Sequence, residues 1–312
     1  MIAPSLSRGV VMADEHSALI EQRLGALGLH VSFGEHVDER DAFDSSRRES
    51  RVADLHAAFD DPQVAGILTV IGGFNSNDLL VDIDWGLIAA NVKVFCGFSD
   101  ITALQNAMLA RGGLVTYSGP HWSTFGMRDG FEDTLGWFRA AVVFDEPITI
   151  TPVDTWTDDA WFRDQDAREF LPNDGWWALQ PGEAEGQLIG GNLCTLNLLQ
   201  GTPFMPSLDG ALLMLEDDAD SSPANFARDL TSLLQVSDAA GIQGLVIGRF
   251  QRASQMTRSL LEQIVARQPM LAGRPVLANA DFGHTSPLMT FPIGGRARIQ
   301  AGSASSLTIT RH

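Results

Sequence analysis

The sequence is short of cysteine, of basic charge and of long apolar runs. Its two thiols, Cys96 and Cys194, lack Cys-x-x-Cys spacing. That argues against a disulfide framework or a zinc site and fits reduced, buried thiols in a cytosolic protein. No apolar stretch approaches the roughly 20 residues that a bilayer-spanning helix needs. The opening Met-Ile-Ala-Pro-Ser-Leu-Ser-Arg shows no charged segment followed by an apolar one, so no secretory signal is expected and the cytoplasm is the expected compartment. Basic residues number 21 against 39 acidic, a net charge of −18. Such a surface repels phosphate backbones and anionic lipid, which disfavours nucleic-acid polymers and membranes as partners. A small anionic ligand stays open, because one pocket can differ from the surface around it. His-Glu-x-x-His, a Cys/His cluster, a Walker loop and Gly-x-Gly-x-x-Gly are all missing, so neither metal nor cofactor is expected.

What is present is a chain of 312 residues, 45% hydrophobic and 19% charged. That is globular usage and enough for two domains of about 150 residues each. In the first part, strands alternate with helices. Residues 15–28 place Leu19, Ile20, Leu24 and Leu27 at helical spacing, and the following Gly-Leu-His-Val-Ser-Phe reads as a strand. Val64–Ile71, Val92–Cys96 and Leu114–Tyr117 read as buried strands, each running into glycine or a polar turn. Strand, turn, helix, strand predicts an α/β protein with a Rossmann-like parallel sheet. From Pro147 to Pro181 the pattern breaks, and four of the seven tryptophans crowd among Asp and Pro. A loop this long inside a compact protein is usually functional. Further strands follow at 186–191, 211–215, 244–248, 275–278 and 307–310. The expected organisation is an N-terminal α/β domain over 1–150, a Trp-rich substrate loop over 151–182, and a smaller C-terminal β-rich domain over 183–312.

The sharpest local motif is Gly97-Phe98-Ser99-Asp100. An apolar strand ends, glycine allows a tight turn, and a serine stands where a helix begins. A nucleophile elbow needs that context, although Ile101 occupies the place of the second glycine in Gly-x-Ser-x-Gly. A plain helix N-cap is the alternative. A serine nucleophile needs a base and an orienting acid. Of seven histidines, His121 and His284 lie in Gly/Pro-punctuated loops after strands, and His284 has the better context. Glu216 is the first polar residue after the apolar run Ala211–Leu215. Asp217, Asp218 and Asp220 read as a solvated turn. The order Ser, Glu, His is that of α/β-hydrolase triads.

Six ordered motifs together resemble the L,D-carboxypeptidase family of serine peptidases over nearly the whole chain. They are Ile71-Gly-Gly-Phe-Asn-Ser-Asn-Asp-Leu-Leu80, Gly97–Leu104, Ser118-Gly-Pro120, Ile189-Gly-Gly-Asn-Leu193, Leu213–Asp217, and Gly283–Pro287 with Phe291–Gly294. The Gly-Gly-x-Asn-Ser-Asn form and the Trp-rich insert resemble the microcin C self-immunity branch more than the murein-recycling enzymes. The resemblance implies Ser99 as nucleophile, His284 as general base and acid, and Glu216 as the residue orienting the imidazole. It implies an oxyanion hole from the backbone N–H groups of Gly73 and Asp100. Trp161 is the positional match for an aromatic that stacks on adenine, with Trp156 and Trp177 nearby; packing of the insert onto the body is the alternative for these rings. Asn75, Ser76, Asn77 and Ser286 are expected around the substrate, Ser286 replacing a histidine usual in the immunity proteins; closing a turn and capping the next helix is the alternative for Asn75, Ser76 and Asn77. The resemblance further implies a homodimer acting on a small peptide or an aminoacyl-nucleotide. Murein tetrapeptide is the alternative substrate, and a non-catalytic module binding a small ligand is the alternative class. Relatives carry more strand-forming sequence before Ala3-Pro4-Ser5, so a curtailed first strand is expected here.

Overall fold

The apolar runs that end on glycine or on polar turns become the strands of two sheets. The computed structural model describes residues 1–10, 14–144 and 146–312. Its first half runs α1 (Asp14–Ala26), α2 (Arg48–Asp60), β1 (Gly66–Leu68), α3 (Trp85–Ala90), β2 (Val94–Gly97), α4 (Thr102–Gly112), β3 (Thr116–Ser118) and α5 (Glu132–Val143). Next come β4 (Ile148–Ile150), β5 (Thr155–Trp156), β6 (Leu171–Pro172), β7 (Trp177–Gln180), β8 (Gly182–Asn192), α6 (Leu193–Asn197), β9 (Ala211–Glu216) and α7 (Pro223–Leu233). The chain closes with β10 (Gly244–Gly248), α8 (Arg258–Ala266), β11 (Val276–Ala280), β12 (Phe291–Ile293), β13 (Arg296–Ala301) and β14 (Ser306–Arg311). No helix among the described residues is long and apolar enough to cross a membrane.

The first sheet has the order β1-β2-β3-β12, with β1, β2 and β3 parallel and β12 antiparallel to β3. Ile2 adds one parallel bridge to Thr69 outside β1, a single residue of pairing in the place of the curtailed first strand. The second sheet has the order β4-β14-β13-β8-β9-β10-β11-β7. Its centre, β8 to β11, is parallel, while both flanks are antiparallel. This is the predicted α/β class, a parallel N-terminal sheet joined to a β-rich C-terminal part. In strand count the second sheet is the larger. Its edges β4 and β7 come from either end of the Trp-rich segment, whereas β12 returns from the C-terminal part to the first sheet.

The strand expected over residues 28–33 does not form. Gly28, at φ 76°, ends the helical turn, Leu29 N–H donates back to Leu24 O (3.0 Å), and further on the terminal amine of Met1 donates to Ser32 O (2.6 Å) and Gly34 N–H to Met1 O (2.8 Å). A strand is stabilised by a neighbouring ladder, and an alternating pattern without one stays irregular.

The parallel strands of both sheets end toward the same region. Leu213, Leu215, Leu245 and Ile247 on β9 and β10 pack with Phe226, Leu230, Leu261 and Ile264 of α7 and α8 in the main core. That packing anchors the strand ends, where polar side chains then gather. In open α/β sheets the carboxyl ends of the strands are where ligands bind.

Candidate active site

β2 ends at Gly97, Phe98 continues extended (φ −147°, ψ −167°), and Ser99 turns to φ 60°. A left-handed backbone costs an L-residue about 1–2 kcal/mol, and it aims the hydroxyl away from the strand it follows. Residues 99–101 form one 3-10 turn that opens α4. Gly72 lies directly opposite. A Cβ there would stand 3.1 Å from Ser99 Cβ and 3.3 Å from its Oγ. Gly73, at φ 152°, has no room either, because a Cβ would meet Ser5 Oγ at 2.2 Å.

Glu216 is the last residue of β9 and is 3% exposed. His284 follows β11 by a short loop. Its Nδ1 is 2.7 Å from Glu216 Oε2, and its Nε2 is 3.0 Å from Ser99 Oγ. A carboxylate only accepts, so Nδ1 carries the proton and the Nε2 of the neutral ring accepts from the serine hydroxyl. Burial by itself lowers the His284 pKa. The Glu216 carboxylate, with Asp218 and Asp217 behind it, outweighs burial and leaves the pKa raised. Beside Glu216, burial lifts Asp217 from 3.8 to about 6, helped by repulsion from Glu216 and Asp218. Asn192 Nδ2 donates to Asp217 Oδ1 at 3.3 Å.

His121, the other candidate base, does not join this chain. It is 1% exposed, and its Nδ1 lies 2.7 Å from Thr69 Oγ1. Its ring packs on Phe98 with centroids 4.5 Å apart, while Phe98 meets His284 at 5.3 Å. Burial, helped by repulsion from His284, drops its pKa to about 3 and keeps it neutral.

Asp100, 2% exposed, ties the turn of Ser99 to the loop after Gly73. Its Oδ2 accepts from Ser5 Oγ (2.6 Å) and from Ser76 N–H (2.8 Å), while Ser76 Oγ donates to Asp100 O (2.6 Å). Burial raises the Asp100 pKa, and these donors pull it back. Asn75 and Ser76, expected around a substrate, are turned inward. Asn75 accepts from Arg51 Nη1 (3.0 Å) and donates to Ser45 Oγ (3.0 Å). Buried polar groups must be paired, and these two side chains are committed to holding the loop. Asn77 is half-buried in the 3-10 turn Ser76–Leu79.

The Trp-rich segment is folded against the body. Thr157 and Ser286 exchange both backbone hydrogen bonds, at 2.9 and 2.8 Å, which places the segment beside the His284 loop. Arg252 clasps it from outside through Asp158 and Asp159. Trp161 is half-buried on the cluster of Trp122 and Phe125, edge-on to His16 at 6.0 Å. Trp177 on β7 packs into the main core, its indole N–H donating to Asp174 (3.1 Å) and the Arg258 guanidinium 5.9 Å from its ring. Sequence reasoning missed Asn192 and the buried pair Arg249–Asp281 (2.7 Å). The acidic residue opening Asp281-Phe-Gly-His284 was the available signal. Among the described residues no group of three His, Cys, Asp or Glu side chains is arranged to hold a metal ion.

Comparison with known proteins identifies the family of the chain. The profile of the LD-carboxypeptidase N-terminal domain matches residues 1–119, and that of the C-terminal domain matches residues 185–299. The putative carboxypeptidase YocD of Bacillus subtilis is 47% identical over 313 residues, covering 100% of this chain and 96% of that protein. The crystal structure of an MccF-like protein from Bacillus anthracis superposes with a TM-score of 0.97 at 47% identity, covering 100% of this chain and 95% of the other. The microcin C7 self-immunity protein MccF, solved in complex with aspartyl sulfamoyl adenosine, superposes with a TM-score of 0.88 at 26% identity, again covering 100% and 95%. With both domains matched in order and close relatives matched from end to end, the chain belongs to the LD-carboxypeptidase family.

Proposed function

We propose that this chain is a serine carboxypeptidase hydrolysing an amide bond near the carboxyl end of a small peptide-like substrate. A peptidyl- or aminoacyl-nucleotide such as microcin C is the favoured class. The relay of Ser99, His284 and Glu216 carries the proposal, with contacts of 3.0 and 2.7 Å and a serine held at φ 60°. Ser99 Oγ attacks the scissile carbonyl carbon as His284 Nε2 takes its proton, and Glu216 steadies the imidazolium. The oxyanion meets the N–H groups of Gly73 and Asp100, each such donor contributing about 3 kcal/mol. His284 returns the proton to the leaving amine, and water repeats the sequence on the acyl-serine.

The nucleotide class is supported by the adenosine ligand solved with MccF and by Trp161, half-buried in the segment beside the His284 loop. Stacking of a base on such a ring contributes about 1–3 kcal/mol. The same reading carries a homodimer in the cytoplasm, and the two free thiols fit a reducing compartment, although only Cys96 is buried as expected and Cys194, outside the core, is exposed.

A fluorophosphonate should label Ser99, and Ser99→Ala should abolish labelling. Folded protein that resists labelling would overturn the hydrolase and leave a non-catalytic binding module. Mass spectrometry of products from an aminoacyl-adenylate analogue and from murein tetrapeptide decides the substrate. Release of terminal D-Ala from the tetrapeptide alone would replace the nucleotide class with murein. Trp161→Ala should lower kcat/KM for the adenylate analogue by about 5- to 150-fold, and unchanged turnover would remove the stacking role.

A further inference from the structure

One buried ion pair outside the relay lies where the Trp-rich segment meets the ends of β10 and β11. Arg249 follows β10 and Asp281 follows β11. Their side chains are 2% and 0% exposed and pair at 2.7 Å through Nη2 and Oδ1. Asp281 Oδ2 accepts from Trp176 Nε1–H at 2.7 Å and from Val153 N–H at 3.3 Å, both donors lying in the segment. Arg249 is covered by the Trp156 ring, 5.1 Å away, and donates from Nε to Asn279 Oδ1 at 3.2 Å. Removing two charges wholly from water is costly, and apolar residues of equal volume often stabilise a fold as well. Stability alone therefore gives little reason for this pair.

Its attachments give a better one. Asp281 stands three residues before His284, and its carbonyl accepts from Met289 N–H at 2.7 Å, which closes the loop. Two residues after His284, Ser286 exchanges both backbone bonds with Thr157. The segment thus holds the His284 loop on both sides of the imidazole, by a charged clasp before it and a two-bond bridge after it.

We propose that Asp281, held by Arg249 and Trp176, is a positioning residue for His284, and that the Trp-rich segment serves to fix the imidazole between Ser99 and Glu216. The inference rests on the hydrolase reading above. Proton transfer across a 3.0 Å contact tolerates little slack, and a displacement of about 1 Å can cost on the order of 100-fold in rate.

The test is the rate of fluorophosphonate labelling at Ser99 across pH, measured on the full-length protein, Asp281→Asn and Trp176→Phe. Asp281→Asn keeps the shape and removes the charge, while Trp176→Phe keeps a ring and removes one donor. Labelling should slow about tenfold or more in the first and at least about threefold in the second. The pH midpoint should fall in both, because a looser loop weakens the contact with Glu216 that raises the His284 pKa. The ionisable groups facing His284 are Glu216 at the end of β9, Asp217 and Asp218 just after it, and His121 across Phe98. Trp176→Phe alters none of them, so a shift in that variant reports position and not charge. A purely structural role would lower the urea midpoint and leave the labelling rate and its pH midpoint unchanged. Folded Trp176→Phe that labels within about twofold of wild type at the same midpoint would overturn the inference, and it decides alone if Asp281→Asn does not fold. Failure of the wild-type protein to label would instead overturn the hydrolase reading, and this inference with it.

Discussion

Glu216→Gln separates the charge of the relay from its shape. Glu216 is 3% exposed, and its Oε2 lies 2.7 Å from His284 Nδ1. Glutamine keeps the length and one oxygen that can accept the Nδ1 proton, but it has no charge to set against an imidazolium. A hydrogen bond to a charged group is worth about 1.5–3 kcal/mol, or about 10- to 150-fold in rate. If the amide presents its NH2 to the ring, the ring proton moves to Nε2. That nitrogen then has nothing with which to accept from Ser99, and the loss approaches about 10⁴-fold. Labelling of Ser99 should therefore slow by about 10- to 10⁴-fold, with its pH midpoint displaced downward, because burial lowers the His284 pKa once the carboxylate is gone. Stability gives an independent readout. A histidine whose folded pKa is raised stabilises the fold fully below its unfolded value of about 6.5, and the contribution is lost as pH rises through the folded value. The difference in urea-unfolding free energy between wild type and Glu216→Gln should be larger near pH 5.5 than near pH 9. Labelling within about threefold of wild type at an unchanged midpoint, or a stability difference that grows with pH, would refute the reasoning.

The strained turn makes a second prediction. Ser99→Gly and Ser99→Ala both lose the hydroxyl, yet only glycine takes φ 60° without strain, so Ser99→Gly should be the more stable by about 1 kcal/mol in urea melts. Equal midpoints would mean the left-handed turn carries no strain. At Asp217, a pKa held at about 6 against an ordinary 3.8 means that the ionised form is disfavoured in the fold. Asp217→Asn should accordingly gain up to about 3 kcal/mol at pH 8, and the gain should fade as pH falls through about 6 toward 4.

The turn at Ser99 was legible because its signal is local: an apolar strand, a glycine and a helix start lie within six residues. Glu216 was legible for the same reason, as the first polar residue after a run buried on both faces. The choice between His121 and His284 was not local. Both follow strands in Gly/Pro loops, and only the sheet order, which sets β11 two strands from β9, brings one of them to the carboxylate. Asn75 and Ser76 carried polarity at the right place in the chain, but composition does not say which way a side chain faces. Residues 28–33 had the alternation of a strand without a partner. β13 had clean alternation and a partner on each side, a period-2 signal passed over, whereas Pro292 hides β12 from any propensity count.

β12 also governs how the molecule comes into being. The outer edge of β3 is covered by residues 291–293, made after nearly everything else. On a ribosome adding about 5–20 residues per second, that edge waits on the order of 10–30 s with its N–H and C=O groups exposed, an invitation to pair with another nascent chain. The first half is therefore not a finished folding unit when it emerges. The strand that completes it arrives just behind His284, so closing the first sheet and delivering the imidazole to Ser99 are parts of one late event. A chain truncated before β12 keeps Asp281 and Ser286, which anchor the His284 loop, yet leaves the edge of β3 uncovered, so the sheet that carries Ser99 is the part such a chain leaves unfinished.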